Sequence, residues 1–357
     1  GKKITVLGLG LLGRGVGDVE FLAKCGAKVL ITDKKNEQEL AESVKKLKQY
    51  PNVSFKLGGH DLEDFTNCNL VIKSAGVRLD SPEIYAARVA GIPVAMSTAL
   101  FAKYAMQERA IVVGVTGTRG KSTVTHMIHH VLKQAGKRVH LGGNVRGVST
   151  LAMLPMIQMG DIAVLELDSW QLQGFGDLKI SPNISIFTNL MPDHLNYYAN
   201  MDEYFSDKSN IFRYQKNGDL LFVGEGVCGQ VQKAQPPILP VVPPEIPQNW
   251  TLKIPGEHNR KNASFAVSAL NALGLSEEYI RDGVESFEGV EGRLQFVGEK
   301  DGVKIYNDNN STTPEATIAA LRAPRGNITL IIGGSEKDLE LDKLVSEIQK
   351  SVSRVIL

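Results

Sequence analysis

Apolar positions along the chain switch between two periods. "KKITVLGLGLLGRGVGDVEFLAKCGAKVLITDKK" holds an apolar run, a glycine turn, a stretch with helical apolar spacing and a second run ending at Asp33, which predicts a βαβ unit. "NLVIKSAGV" and "IPVAMS" continue as strands, and the alternation extends to about residue 108. A second region opens on the strand "AIVVGVT". Val124, Met127, Ile128, Val131 and Leu132 then recur at helical spacing, and "DIAVLEL" and "NISIFTN" add two buried strands. "AQPPILPVVPPEIPQ" carries neither period and reads as an irregular surface connection. A third region starts near "LQFVGEKDGVKIYNDNN" and passes through "ITLIIGG" and a helix to "VSRVIL". The pattern therefore predicts an α/β chain in three parts, residues 1–107, 108–295 and 296–357. The last part is shorter than the roughly 100–150 residues of a common domain and stops inside a strand pattern, so a truncated third domain is the expectation.

Composition narrows the class without naming it. A chain of 357 residues has length for two or three domains. Its 40 basic and 39 acidic residues leave a formal charge of +1, so no global field draws it to nucleic acid or an anionic membrane, and neither is expected as a partner. Cys25, Cys68 and Cys228 are widely spaced and fit no zinc pattern, which suits reduced thiols and a cytoplasmic location. An 18-residue apolar run is absent from the sequence.

Two glycine-rich turns carry candidate chemistry. Gly8, Gly10 and Gly13 spell G-x-G-x-x-G between a strand and a helix, with Asp33 closing the next strand. Backbone approach to a pyrophosphate and a carboxylate for a ribose hydroxyl make NAD the leading ligand of that motif on this evidence alone. "GVTGTRGKSTVT" departs from the common phosphate-loop spacing but keeps Gly-Lys-Ser at a strand-to-helix junction. Backbone N–H groups from Thr118 through Ser122 would wrap phosphates, Lys121 would place an ammonium on them, and Ser122 would offer an oxygen to Mg²⁺. Glu166 closes a buried strand and is a second hard oxygen ligand. Asp168, two residues on, would share its face if the strand continued.

Further segments follow in a specific order: "TGTRGKS", "LELDSWQL", "TNLMPDHL", "DKSNIF", "PGEHNRKNASFA", "EGRLQF", "NDNNSTTPEATIAAL" and "IIGGSEKDLELDKL". Together they resemble the Mur ligases, ATP-dependent amino-acid ligases of peptidoglycan precursor synthesis, over nearly the whole chain. That resemblance implies a three-domain Mur-ligase-like architecture. A Rossmann-like N-terminal domain would be followed by a central P-loop ATPase-type domain with a mostly parallel sheet and by a C-terminal Rossmann-like domain. The N-terminal glycine motif brings the match nearest to the members that add D-glutamate to UDP-MurNAc-L-alanine, with those two compounds as small-molecule partners and a monomer as the expected state. In those relatives the first domain holds the uridine diphosphate part of the substrate, which displaces NAD.

The resemblance also implies roles. ATP would be held by Gly117, Thr118, Arg119, Gly120, Lys121, Ser122 and Thr123, with Asn259, Asn262, Arg293 and Asp308. Ser122 and Glu166 would serve one Mg²⁺; His194 and Lys208 would serve a second, Lys208 as a carbamate because an ammonium repels the ion. Lys121, His194 and Lys208 are the implied catalytic set. Gly10, Asp33, Ser74 and Gly76 match the uridine-nucleotide pocket, Asn144 the muramoyl contact, and Thr312 and Lys337 the D-glutamate side. The implied route is carboxylate attack on the γ-phosphate, then amine attack on the acyl phosphate. Arg119, Asp168 and Asn310 stand where the family pattern has asparagine, serine and lysine. Another Mur-type ligase, a folylpolyglutamate-type synthetase, an NAD-dependent oxidoreductase and a silent UDP-sugar and ATP binding module are the alternatives.

Overall fold

The computed structural model describes residues 1–9, 14–145, 147–195, 197–311, 313–323, 326–334 and 340–357. Two compact units divide it, the first made of residues 1–121 and 137–242, the second of residues 122–136 and 243–357.

The first unit contains two parallel sheets. Strands β1 (Lys3–Leu7), β2 (Lys28–Asp33), β3 (Val53–Leu57), β4 (Leu70–Lys73) and β5 (Val94–Ala95) form one in the order β3-β2-β1-β4-β5. The order reverses between β1 and β4, so the turns after Leu7 and Lys73 face each other at the carboxyl edge, where such sheets bind ligands. Gly8 fits this apposition: its φ is +83°, and a Cβ there would lie 2.6 Å from Ser74 Oγ.

Strands β6 (Ile111–Thr116), β7 (Val139–Gly143), β8 (Ile162–Glu166), β9 (Ile184–Phe187), β10 (Leu220–Val223) and β11 (Pro240–Val241) form the other sheet, in the order β11-β10-β9-β6-β8-β7. Its central strands are buried along nearly their whole length, which is why their sequences are continuous apolar runs. The proline-rich segment is not wholly irregular: β11 lies within it and pairs with β10. Proline has no N–H for a ladder, and an edge strand tolerates that loss. One hydrophobic core runs through this unit, from Val29 and Ile31 past Phe101 and Ala105 to Leu165, Phe175 and Phe187.

In the second unit, the stripe read from the sequence is buried as expected: Val124, Met127, Ile128, Val131 and Leu132 are all fully covered along the Lys121–Gln134 helix. The Glu277–Ser286 helix comes so close that a Cβ on Gly283 would sit 2.8 Å from Val131 Cγ2. Strands β12 (Gln295–Lys300) and β13 (Val303–Asn307) form an antiparallel pair; β14 (Ile328–Ile331) and β15 (Val352–Ile356) form a parallel one.

Candidate active site

The Gly-Lys-Ser turn leaves β6 at Thr116. Gly117 and Gly120 have φ of +141° and +82°, values that require glycine here. The loop is pinned by residues following β9. Thr118 N donates to Asn189 O at 2.9 Å, Arg119 N to Asn189 Oδ1 at 2.9 Å, and Thr188 Oγ1 to Arg119 O at 2.6 Å. Two of the N–H groups expected to wrap phosphate are thus committed to holding the loop itself. Thr188 and Asn189 were not among the site residues read from sequence, although they directly follow a buried strand.

Two lysines converge on one carbonyl. Lys121 Nζ donates to Gly117 O at 3.0 Å and to Thr118 O at 3.1 Å. Lys208, in the Met201–Ser209 helix, donates to the same Gly117 O at 2.8 Å. Lys208 is 1% exposed, and its Nζ lies 4.7 Å from the Tyr204 ring centroid. Burial pushes its pKa well below the ordinary lysine value, and the Lys121 cation acts the same way; Asp168, Asp193 and Glu166 oppose the shift. Glu166 ends β8 and is buried, in register beside Val115 of β6.

His194 sits in a left-handed conformation, φ +57°, with its ring 4.7 Å from that of Trp170. Burial lowers its pKa and Asp193 opposes this, so the imidazole is biased toward the neutral form that a metal ligand requires. The expectation for Asp168 fails because β8 stops at Glu166. Asp168 is instead the N-cap of the Ser169–Leu178 helix, accepting from Gln171 N at 2.7 Å in a capping box. Serine is also a good cap, so this replacement keeps the local structure while adding charge. Trp170 and Tyr204 contact the His194 ring within an aromatic group that also includes Tyr197 and Tyr198.

On the N-terminal sheet, Asp33 is already engaged. Its Oδ2 accepts from Leu9 N at 2.8 Å and its Oδ1 from Lys35 N at 3.0 Å, so the carboxylate shapes the glycine turn while keeping lone pairs for a further donor. A cavity of about 300 Å³ is lined by Gly8, Leu9, Ser74, Gly76 and Gln171 among others; Asp33 does not line it and reaches it only through its bond to Leu9 N. Asn144 is tied to the end of β8 through its N–H to Glu166 O at 2.7 Å. Gly10, Thr312 and Lys337 lie outside the described residues.

In the second unit, Ser122 and Thr123 occupy the first turn of the Lys121–Gln134 helix. Asn259 and Asn262 are buried one turn apart on the Glu257–Ala272 helix; Asn262 Nδ2 donates to Asn259 Oδ1 at 3.1 Å, and Asn259 Nδ2 to Pro255 O at 2.7 Å. Arg293 and Asp308 meet at one turn, where Arg293 Nη1 donates to Asn310 O at 3.0 Å and Leu294 N to Asp308 Oδ1 at 2.8 Å. Asn310, in the place of the family lysine, donates to Glu291 O at 3.1 Å and so helps to close that turn. Among the described residues, no group of three or more His, Cys, Asp or Glu side chains comes together as a metal site, and none forms around His126, His129 and His130. No helix among them is long and apolar enough to cross a membrane.

Residues 115–227 match the Mur ligase middle domain and residues 2–96 the Mur ligase MurD-like N-terminal domain. The UDP-N-acetylmuramoylalanine–D-glutamate ligase of Roseiflexus sp. (strain RS-1) is 33% identical over 391 aligned residues, covering 100% of this chain and 83% of that protein. Two solved structures share the fold. UDP-N-acetylmuramate-alanine ligase MurC from Thermotoga maritima has a TM-score of 0.60 at 22% identity, covering 100% of this chain and 86% of its own. MurF ligase from Thermotoga maritima, in complex with ADP, has a TM-score of 0.60 at 15% identity, covering 92% and 85%. On the full-length identity and the two matched domains, the chain belongs to the Mur ligase family.

Proposed function

We propose that this chain is an ATP-dependent amide ligase that joins D-glutamate to UDP-N-acetylmuramoyl-L-alanine, releasing ADP and phosphate. The observation that carries the reading is the 33% identity, along the entire chain, to a ligase of that name. The phosphate loop agrees with it: Lys121 and Lys208 meet at Gly117 O beside the strand-end carboxylate Glu166.

A carboxylate is a poor acyl donor, so its oxygen first attacks the γ-phosphorus of ATP, giving an acyl phosphate and ADP. The amine then attacks the acyl carbon, forming the amide and expelling inorganic phosphate. Lys121 offsets the negative charge of the phosphates in the first step. Gly117, Thr118, Arg119, Gly120, Ser122 and Thr123 form the rest of the loop, and Asn259, Asn262, Arg293 and Asp308 are the proposed nucleotide contacts of the second unit. Ser122 and Glu166 would hold one Mg²⁺, and His194 with Lys208 a second. Bound magnesium supplies charge neutralisation at phosphoryl oxygens. Lys208 suits this set as a carbamate: its depressed pKa favours the free amine that reacts with carbon dioxide, and the product is an oxygen donor. Asp33, Ser74, Gly76 and Asn144, with Gly10, are proposed for the nucleotide-sugar, and Thr312 and Lys337 for the amino acid.

Phosphate release from ATP tests the reading when measured with UDP-MurNAc-L-alanine and each of several amino acids, with product masses. D-glutamate-dependent release and the matching amide mass are expected. Release with a different amino acid would keep the chemistry and change the substrate; no release with any would refute the ligase.

A further inference from the structure

The cavity of the first unit contains a cation that the assignments above leave unused. Arg14 opens the Arg14–Lys24 helix and lines the cavity together with Gly8, Ser74, Gly76 and Gly143. Its Nη1 donates to Asn144 Oδ1 at 3.0 Å, so the guanidinium is held by a residue 130 positions further along the chain. Guanidinium presents five N–H donors in a planar fork, and Asn144 takes one of them.

The other charges around the cavity are already answered. Asp18, the carboxylate of the lining, accepts from Ser149 Oγ at 2.6 Å; burial raises its pKa, and Ser149, Ser97 and Arg14 oppose the shift. Lys73, the other cation of the lining, directs its Nζ to Val77 O at 3.0 Å and Gln173 Oε1 at 3.3 Å. Two walls are bare backbone. Gly8 and Gly143 line the cavity; each is glycine because its φ is positive, +83° and +85°, and because a Cβ would meet the protein itself, Ser74 Oγ at 2.6 Å and Glu166 O at 2.1 Å. Glycine walls beside a forked cation suit an anion with several oxygens, such as a phosphate group.

We propose that Arg14 is the anion clamp of this cavity, taking a diphosphate oxygen of a nucleoside-diphosphate sugar while Asn144 keeps its guanidinium in place. The identity of the ligand rests on the ligase reading; the demand for an anion rests on the cavity.

Equilibrium titration of the full chain with UDP, uridine and ADP tests both and separates them. Charge-assisted hydrogen bonds of this kind set the expected size: Arg14→Leu should weaken UDP binding by about 10- to 100-fold, with uridine and ADP affinity unchanged. Arg14→Gln, which keeps an N–H for Asn144 without the charge, should lose the same preference for UDP over uridine, and Arg14→Lys should recover part of it. Wild-type UDP affinity should also fall with added salt more steeply than that of Arg14→Leu. The clamp is overturned if Arg14→Leu binds UDP within two-fold of wild type, or if UDP and uridine affinity fall together. A wild-type chain that binds ADP but neither UDP nor uridine would overturn the nucleotide-sugar reading itself, and the clamp with it.

Discussion

Replacing Lys73 with methionine isolates a charge that the first unit buries beside the proposed substrate loop. Lys73 ends β4 and is 2% exposed; its two hydrogen-bond acceptors, Val77 O and Gln173 Oε1, are both neutral. Burial lowers its pKa from 10.5 to about 8, Asp177, Asp168 and Asp207 oppose that shift, and Arg88 adds to it. A folded-state value below the unfolded one means that the unfolded chain binds more protons between those two pH values, so stability rises with pH across the window. From pH 7 to pH 9.5, Lys73 alone should make the wild-type chain about 2 kcal/mol more stable. Methionine has a similar length and does not titrate, and the other groups titrate alike in both proteins and cancel in the difference. Equilibrium urea unfolding of both full chains at the two pH values therefore gives the assay. The stability of Lys73→Met relative to wild type should fall by about 2 kcal/mol between pH 7 and pH 9.5. A difference that does not change with pH would refute the conclusion that burial depresses the pKa of Lys73 in the folded chain.

Three other perturbations address the site and the sheet beneath it. Gly117→Ala would place a Cβ 2.0 Å from Thr188 Oγ1 at a φ of +141°, so the loop must move; ADP affinity should drop by about 100-fold while UDP binding persists, and unchanged ADP affinity would contradict the loop assignment. Lys208→Ala should slow phosphate release by at least about 100-fold, and mass spectrometry in bicarbonate should find a carbamate on wild-type Lys208; full activity in the variant with no carbamate in the wild type would overturn that role. Asp161 accepts from Arg138, His140 and Gln158 N, and Arg138 is the main cause holding its pKa at about 2 against an ordinary 3.8. Its contribution of at most about 2 kcal/mol is present above pH 4 and lost as pH falls through 2, so Asp161→Asn should flatten acid unfolding in that range, as followed by circular dichroism.

Five of the strands that sequence made legible are buried on both faces, whereas β14 and β15, read from "ITLIIGG" and "VSRVIL", are largely exposed. β1, β2, β6, β8 and β9 are apolar runs bounded by turns, and their covered positions explain why. β3 alternates between half-buried and exposed positions at a sheet edge, β7 reads "VHLGG", and β11 is hidden among prolines, so none offers a strong period. Glu166 was readable because it closes such a run, and Lys121 because it opens the helix after the glycine turn that follows one. Lys208 was named by the family resemblance alone: "FSDKSNIF" is polar, and only packing around the Met201–Ser209 helix removes that amine from water. Asp168 shows the limit of period-two reasoning, since two residues share a face only while the strand lasts.

The pair of lysines at Gly117 explains why these assignments belong together. Two ammonium groups sharing one carbonyl repel, and the repulsion is relieved most readily where the charge is already disfavoured. That place is Lys208, fully enclosed, rather than the less buried Lys121. Burial and the Lys121 cation both lower the pKa of Lys208, and its neutral amine would be the form that carbon dioxide converts to an anion. Under the proposed modification the sign of the interaction would reverse: Lys121 would face a carbamate in place of a competing ammonium, and His194, biased toward neutrality by burial, would keep lone-pair electrons to share with a metal. The proposed carbamate would turn an arrangement that disfavours a second positive charge into one suited to metal ions and phosphates side by side, as the proposed phosphoryl transfer to a carboxylate requires.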